Sequence, residues 1–245
     1  MLQELQILEG AFVVADAHYS HKRPELLEFI KEIHSKKLQP TQLILMGDIF
    51  DALFGEVAYT HAINQEAIAL INEISLDIEV IYLEGNHDFN LKNIFPHVKI
   101  FQISSQPVTC RFDGKKVLLA HGDIESPLGY RVYTSLIRNS TVLSLLRALD
   151  SLTRHYILKR LDLYLSKKDD CREFIGLEKF MSNRLGEKYK CDYFVEGHFH
   201  QNRTIKLKDF TYINLGAFAC NQRYFIVKSA QDIELLQENI FSKGI

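Results

Sequence analysis

The amino-acid sequence predicts an α/β protein built as a two-sheet sandwich flanked by helices, with a helical cap insert late in the chain. Three observations carry that prediction. Apolar runs of four to five residues recur and alternate with longer segments of helical period, the pattern of strands covered by helices. The last third holds several strand-like runs joined by short turns, which calls for a second sheet. Between these parts, Gly129 to Lys168 shows helical period and no obvious strand.

In order, "FVVA" (12 to 15) reads as a buried strand, and the helical segment after it places Leu26, Leu27, Ile30 and Ile33 on one face. "LILM" (43 to 46) precedes a second helical stretch in which Ile63, Ala67, Ile71 and Ile74 share a face, and "VIYL" (80 to 83) comes next. In "VTCRFDGKKVLLA", Asp113-Gly114 separates two strand-like runs, a strong hairpin signal. The helical insert is expected over about 129–185. The C-terminal runs "YFVEG", "RTIKLKDFTYINL" and "RYFIVKS" supply the second sheet, and 1–245 is taken as a single domain.

With 47% hydrophobic residues the chain has ample material for a core, and a net charge of −2 gives no global signal for nucleic-acid binding. The charge is unevenly placed. Residues 129–168 hold eight basic side chains against Asp150 and Asp162, a net +6 that leaves −8 for the remainder. Four cysteines without a C-x-x-C pair argue against a structural zinc site or a disulfide framework and suit a reducing compartment. No secretory signal is legible at the N-terminus, nor is there an uninterrupted apolar stretch long enough to span a bilayer. A cytoplasmic protein is expected, with the basic insert in peripheral contact with the inner face of the membrane.

The residues directly after each apolar run point to chemistry. "FVVA" ends in Asp16-Ala17-His18, "LILM" in Gly47-Asp48 with Asp51 beyond, and "VIYL" in Gly85-Asn86-His87-Asp88. "VLLA" ends in His121-Gly122-Asp123, and "YFVE" in Gly197-His198-Phe199-His200. Five strands thus deliver metal-ligand side chains at their carboxyl ends, the edge where open α/β sheets bind ligands. In extended chain, residues i and i+2 point to one side, so Asp16 with His18, and His198 with His200, form neighbouring donors. Imidazole, carboxylate and amide oxygen suit Mn²⁺, Fe²⁺ or Zn²⁺ better than Mg²⁺. Seven such donors exceed the needs of one ion and match two, the arrangement that serves in-line displacement at phosphorus. His34, His61, His97 and His155 lack such partners, and His21, close to the first motif, stays open.

The series D-x-H, G-D-x-x-D, G-N-H-D, H-G-D and G-H-x-H from Asp16 to His200 resembles the calcineurin-like metallophosphoesterase superfamily. The resemblance implies that fold's paired sheets flanked by helices. It implies that Asp16, His18, Asp48 and His200 bind one metal, and that Asp48, as a bridge, binds the second with Asn86, His121 and His198. It further implies that His87 stands beside the scissile phosphate as a general acid, oriented by Asp88.

Length and the basic, leucine-containing insert make the chain similar to the UDP-2,3-diacylglucosamine hydrolases of the lipid A pathway. That family splits a UDP-linked diacyl sugar, with manganese, into UMP and diacylglucosamine 1-phosphate, and its helical insert holds the acyl chains. The likeness implies a nucleotide-linked acylated sugar as substrate, contacted by Asn86, His87, Asp123, Arg131, Ser166 and His198. Leu136, Ile137, Leu143, Leu146 and Leu149 would line the chain groove. One departure is clear: the family commonly carries Arg in the G-N-R-D-F position where this chain has His87. Two other classes stay open, namely a phosphoesterase for cyclic nucleotides, dinucleotides or another lipid headgroup, and a non-catalytic scaffold.

Overall fold

Short apolar strands buried on both faces organise the molecule. The computed structural model describes residues 4–125, 128–153, 155–165, 171–229 and 235–242. Strands β1 (Leu5–Gln6) and β2 (Phe12–Val14) come first. Helix α1 (Glu25–His34) is next and buries Leu26, Leu27, Phe29, Ile30 and Ile33. Its first turn carries Glu25 and Glu28 and its last Lys31 and His34, charges that complement the helix dipole. Then come β3 (Gln42–Leu45), β4 (Leu53–Phe54), α2 (Ala58–Ile63), α3 (Gln65–Asp77), β5 (Glu79–Leu83), β6 (Asp88–Phe89) and β7 (Lys99–Phe101). Strands β8 (Val108–Phe112) and β9 (Lys115–Ala120) form the expected antiparallel hairpin, with Asp113 and Gly114 both at positive φ in its turn.

Among the described residues, four helices occupy the interval between β9 and the next strand: α4 (Leu128–Ile137), α5 (Ser140–Leu152), α6 (Tyr156–Leu165) and α7 (Leu177–Leu185). Asn139 caps α5, its side chain accepting from the backbone N–H of Thr141 and Val142. The chain closes with β10 (Tyr193–Glu196), β11 (Arg203–Lys206), β12 (Thr211–Asn214), α8 (Phe218–Asn221), β13 (Arg223–Val227) and β14 (Leu236–Ile240).

Two six-stranded sheets result, one ordered β14-β13-β2-β3-β5-β7 and the other β1-β8-β9-β10-β12-β11. Side-chain alternation divides the core. Val13, Ile44 and Ile81 of the first sheet meet Val117, Leu119, Val195 and Ile213 of the second. The intervening Phe12, Val14, Leu43, Leu45 and Tyr82 face α1 and α3 instead. The outer face of the second sheet, with Leu118, Phe194 and Tyr212, packs on Leu177, Met181 and Leu185 of α7.

The structure corrects three expectations. Ile63 does not share the buried face of Ala67, Ile71 and Ile74. The helix breaks at Asn64, whose amide donates to the carbonyls of Ala52 and Thr60, and Ile63 is left exposed at the end of α2. The run "RYFIV" does not join the second sheet: α8 turns the chain back, and β13 pairs antiparallel with β2 in the first. Its apolar alternation specifies a strand but not which free sheet edge receives it. Finally, Cys171 and Cys220 form a disulfide across 49 residues, with Cα atoms 5.7 Å apart, while Cys110 and Cys191 are free. Tertiary proximity made a pair where no spacing motif announced one, and the compartment reading from scattered cysteines loses its support.

Candidate metal centre

The carboxyl ends of β2, β3 and β5 in one sheet and of β9 and β10 in the other come together. The two sheets are stitched at this edge by backbone-to-carboxylate hydrogen bonds. Across the sheets, the His198 N–H donates to both oxygens of Asp16 (3.0 and 2.9 Å); within the first sheet, the His87 N–H donates to Asp48 Oδ1 (2.8 Å). Glycine is required in two of the motifs by space alone. A Cβ at Gly85 would meet the Asp48 carboxylate, and one at Gly197 would meet that of Asp16. Asp16, His18, Asp48, His198 and His200 all sit at positive φ, between 46° and 61°. The extended i, i+2 geometry expected for the two pairs is therefore replaced by left-handed turns. Such a backbone costs energy in non-glycine residues and persists where surrounding contacts over-determine it.

Among the described residues, donor atoms gather in three groups, each mutually within 4.8 Å: Asp16, His18 and His200; Asp48, His121 and His198; and His18, Asp51 and His87. In the first, His200 Nε2 lies 3.2 Å from Asp16 Oδ1. In the second, the Met46 carbonyl lies 2.9 Å from His121 Nδ1 and accepts from it, which turns His121 Nε2 toward the other donors. That nitrogen lies 3.4 Å from Asp48 Oδ2, 3.3 Å from Asn86 Oδ1 and 3.2 Å from His198 Nδ1. Asn86 thereby joins the group.

These residues fit divalent cations. Both ring nitrogens of buried His18 lack a hydrogen-bond partner, Nδ1 lying 3.3 Å from Asp51 Oδ1. Burial opposes the charge of Asp48, yet the imidazoles of His121 and His87 hold its carboxyl well below the usual carboxylate range. Burial likewise disfavours a charged His121, but Asp48 overrides it and pushes the imidazole well up. His198, buried and beside His121, is pushed down to about 4 and is neutral at neutral pH, the form that ligates metal.

His87 lies at the junction. The Asp51 carbonyl is 2.9 Å from its Nδ1, leaving Nε2 on the side of Asp48, 4.0 Å from Oδ2. The expectation that Asp88 orients His87 is corrected. The Asp88 carboxylate accepts the backbone N–H groups of Asp48, Ile49, Phe50 and Gly85 and the Tyr82 hydroxyl, so it holds the β3 turn instead. Burial, reinforced by the charge of Asp48, pushes its carboxyl up to about 7.

Of the expected substrate contacts, Asn86, His87 and His198 are in the cluster, and Asp123 is buried beside it. Arg131 lies on α4, and Ser166 falls outside the described residues. Two arginines escaped the motif reading. Arg138 donates to the Gly85 carbonyl (2.8 Å) and to Asp123 Oδ2 (3.3 Å) with its guanidinium over the Phe89 ring. Arg184 of α7 donates to Glu196 Oε1 (2.6 Å) and to the Gly122 carbonyl (2.7 Å). In the sequence each is one more basic residue with no local signal of its role, and burial of Glu196, which only the structure shows, is what requires the Arg184 cation.

Residues 11–202 match the family model of calcineurin-like phosphoesterases. The chain belongs to that family. This phosphoesterase is accordingly a metal-dependent hydrolase of phosphoric ester or pyrophosphate bonds. It is 24% identical to a UDP-2,3-diacylglucosamine hydrolase of Pseudomonas fluorescens (strain SBW25), over 80% of this chain and 81% of that one. It is 26% identical to the enzyme of that name from Histophilus somni (strain 129Pt), over 85% and 92%. The solved structure of Yfce, a phosphoesterase from E. coli, aligns with 95% of this chain and 99% of its own at 13% identity, with a TM-score of 0.49. No described helix of the phosphoesterase is long and apolar enough to cross a membrane.

Proposed function

We propose that this phosphoesterase hydrolyses the pyrophosphate of UDP-2,3-diacylglucosamine to UMP and 2,3-diacylglucosamine 1-phosphate in the lipid A pathway. Besides the relatives of that name, one observation carries the reading: an apolar helical insert is fastened to the metal-site rim by Arg138. On the insert, Leu136, Leu146 and Leu149 are exposed, whereas Leu143 is buried and Ile137 half-buried in a small core with Val57 and Phe89. Exposed leucines on elements attached to the rim suit acyl chains.

Asp16, His18, Asp48 and His200 would hold one cation, and Asp48, Asn86, His121 and His198 the other, with Asp48 shared and manganese the ion. Bound cations would supply Lewis acidity and activate water for attack at phosphorus. The chain's own work is then positional and protonic. Backbone N–H groups fix both carboxylates. The Asp51 carbonyl takes His87 Nδ1–H, so a proton for the leaving oxygen leaves from Nε2. Asp123 would contact the sugar side, and Arg131 and Ser166 remain expected substrate contacts. The net +6 of the insert also suits an anionic inner-leaflet surface, on the cytoplasmic side.

His87, where the hydrolases of this class commonly carry Arg, favours a second reading, a phosphodiesterase for a smaller substrate. UMP release from UDP-2,3-diacylglucosamine by the manganese-loaded protein, measured beside cleavage of an aryl phosphodiester, decides between them. Rapid diester cleavage with no UMP would sink the lipid reading.

A further inference from the structure

Beside the His18, Asp51 and His87 group lies a cavity of about 390 Å³ to which none of the roles above assigns a ligand. Its size falls in the range of small-molecule sites, about 300–1,000 Å³. Ser20, His21, Asp51, Tyr59 and Ile63 line it, and the insert contributes Leu158 of α6. Two polar atoms of this wall are buried without a hydrogen-bond partner: Ser20 Oγ, on a residue 8% exposed, and Asp51 Oδ2, on one 4% exposed. A carboxylate oxygen only accepts, and a serine hydroxyl donates and accepts. A ligand that completes the wall must therefore bring N–H or O–H donors, which an acyl chain lacks.

The rest of the wall mixes the polar Thr60, Asn64 and Lys159 with apolar and aromatic side chains. Ile63 and Leu158 are apolar, and the Tyr59 ring is held in a stack with His155, centroids 4.3 Å apart and planes 17° from parallel. Aromatic and apolar side chains around a few fixed polar groups suit a flat, hydrogen-bonding ring.

Asp51 ties the cavity to the metal-binding residues. Its carboxylate is 3.3 Å from His18 Nδ1 and its carbonyl 2.9 Å from His87 Nδ1. Asp123 and Arg138 instead border the group of Asp48, His121 and His198, through Gly85 and the His121-Gly122-Asp123 turn. A phosphoryl group held between the two donor groups thus has one substituent on the Asp51 flank and the other on the Asp123 flank.

We propose that the cavity is the nucleoside subsite, receiving the uridine of the UDP-linked substrate with its N–H and O–H donors on Asp51 and Ser20. The diacyl sugar then takes the Asp123 flank under the insert. This assignment rests on the pyrophosphate-hydrolase reading for the identity of the base.

The test titrates the full-length, manganese-loaded protein with uridine, monitored by NMR or calorimetry. Uridine carries no phosphate, so the cations do not capture it by that group. Saturable binding is expected, weakened about tenfold or more by Ile63→Trp and by Leu158→Trp, each of which fills the cavity from its rim. Circular dichroism verifies that both variants fold, and the exposed position of Ile63 makes its replacement tolerable. No uridine binding by the wild type, or binding unaltered in both filled variants, overturns the subsite. The two readings fail separately. UMP release with a KM untouched by filling the cavity removes the subsite and keeps the reaction; uridine bound in the cavity without UMP release keeps the subsite and removes the reaction.

Discussion

The sheet edge and the helical insert obey opposite rules. At the edge, Asp16, His18, Asp48, Asp88 and His121 are 0 to 2% exposed, and each carboxylate is held by backbone N–H groups. On the insert, Leu145 is 63% and Leu152 82% exposed. Besides the small core with Val57 and Phe89, its nearer end is fastened by Arg138 to Gly85 and Asp123, the Arg138 carbonyl to Asn90, Ser140 to Glu56 and Arg147 to the Glu56 carbonyl. Over-determined geometry suits chemistry that fails when donors move by an ångström. A lightly fastened, apolar element suits recognition of a large substrate, and it can diverge without disturbing the edge.

The contrast can be broken or sharpened from its most sensitive point outward. Asp48→Ala removes the carboxylate placed to be shared. Hydrolysis of a simple aryl phosphodiester should fall by about 10³-fold or more, as it should on chelation of the metals, while the protein stays folded by circular dichroism. His87→Ala should lower kcat by about 10²-fold with the metal content measured by mass spectrometry unaltered; unchanged turnover would remove the residue from proton transfer. Arg138→Ala loosens the junction itself. Its expected cost is about tenfold in kcat/KM toward the acylated substrate and less toward the aryl diester, with Arg138→Lys recovering only part because one ammonium cannot reproduce the forked contact.

A smaller, graded effect tests the edge alone. Asp48, in spite of burial, makes the His121 imidazole hold its proton to higher pH than a free imidazole does, and a metal must displace that proton. Metal affinity should therefore rise with pH, by about tenfold per unit for each proton released, and calorimetry in buffers of different ionisation heat counts the protons. The least effect belongs to the insert surface. Leu149→Ser, at an exposed position, should change unfolding free energy by no more than about 0.5 kcal/mol, and an equally small change in KM for the acylated substrate would detach that leucine from acyl-chain recognition.

Legibility in the sequence tracks locality. The donor residues can be read because each directly succeeds its own apolar strand, and the hairpin because Asp113-Gly114 meets the backbone demand of a tight turn. Asp88 cannot be placed that way: adjacency pairs it with His87, whereas its carboxylate turns back to the amides of residues 48 to 50. Ile63 is a second such case, because helical spacing continues through Asn64 although the backbone does not. The Cys171 and Cys220 pair and the partner strand of β13 depend on segments distant in sequence.

By itself the sequence determined the class of the fold, the run of donors and the chemistry they serve, since alternation, turn residues and ligand types are properties of short stretches. Tertiary structure alone decided how the donors divide into groups, that left-handed turns aim them, that Arg138 and Arg184 brace the rim, and that Ser20 and Asp51 share a cavity with Leu158. Those are contacts between residues as far apart in the chain as Asp16 and His200, and a side chain buried by a distant segment leaves no local periodicity to read.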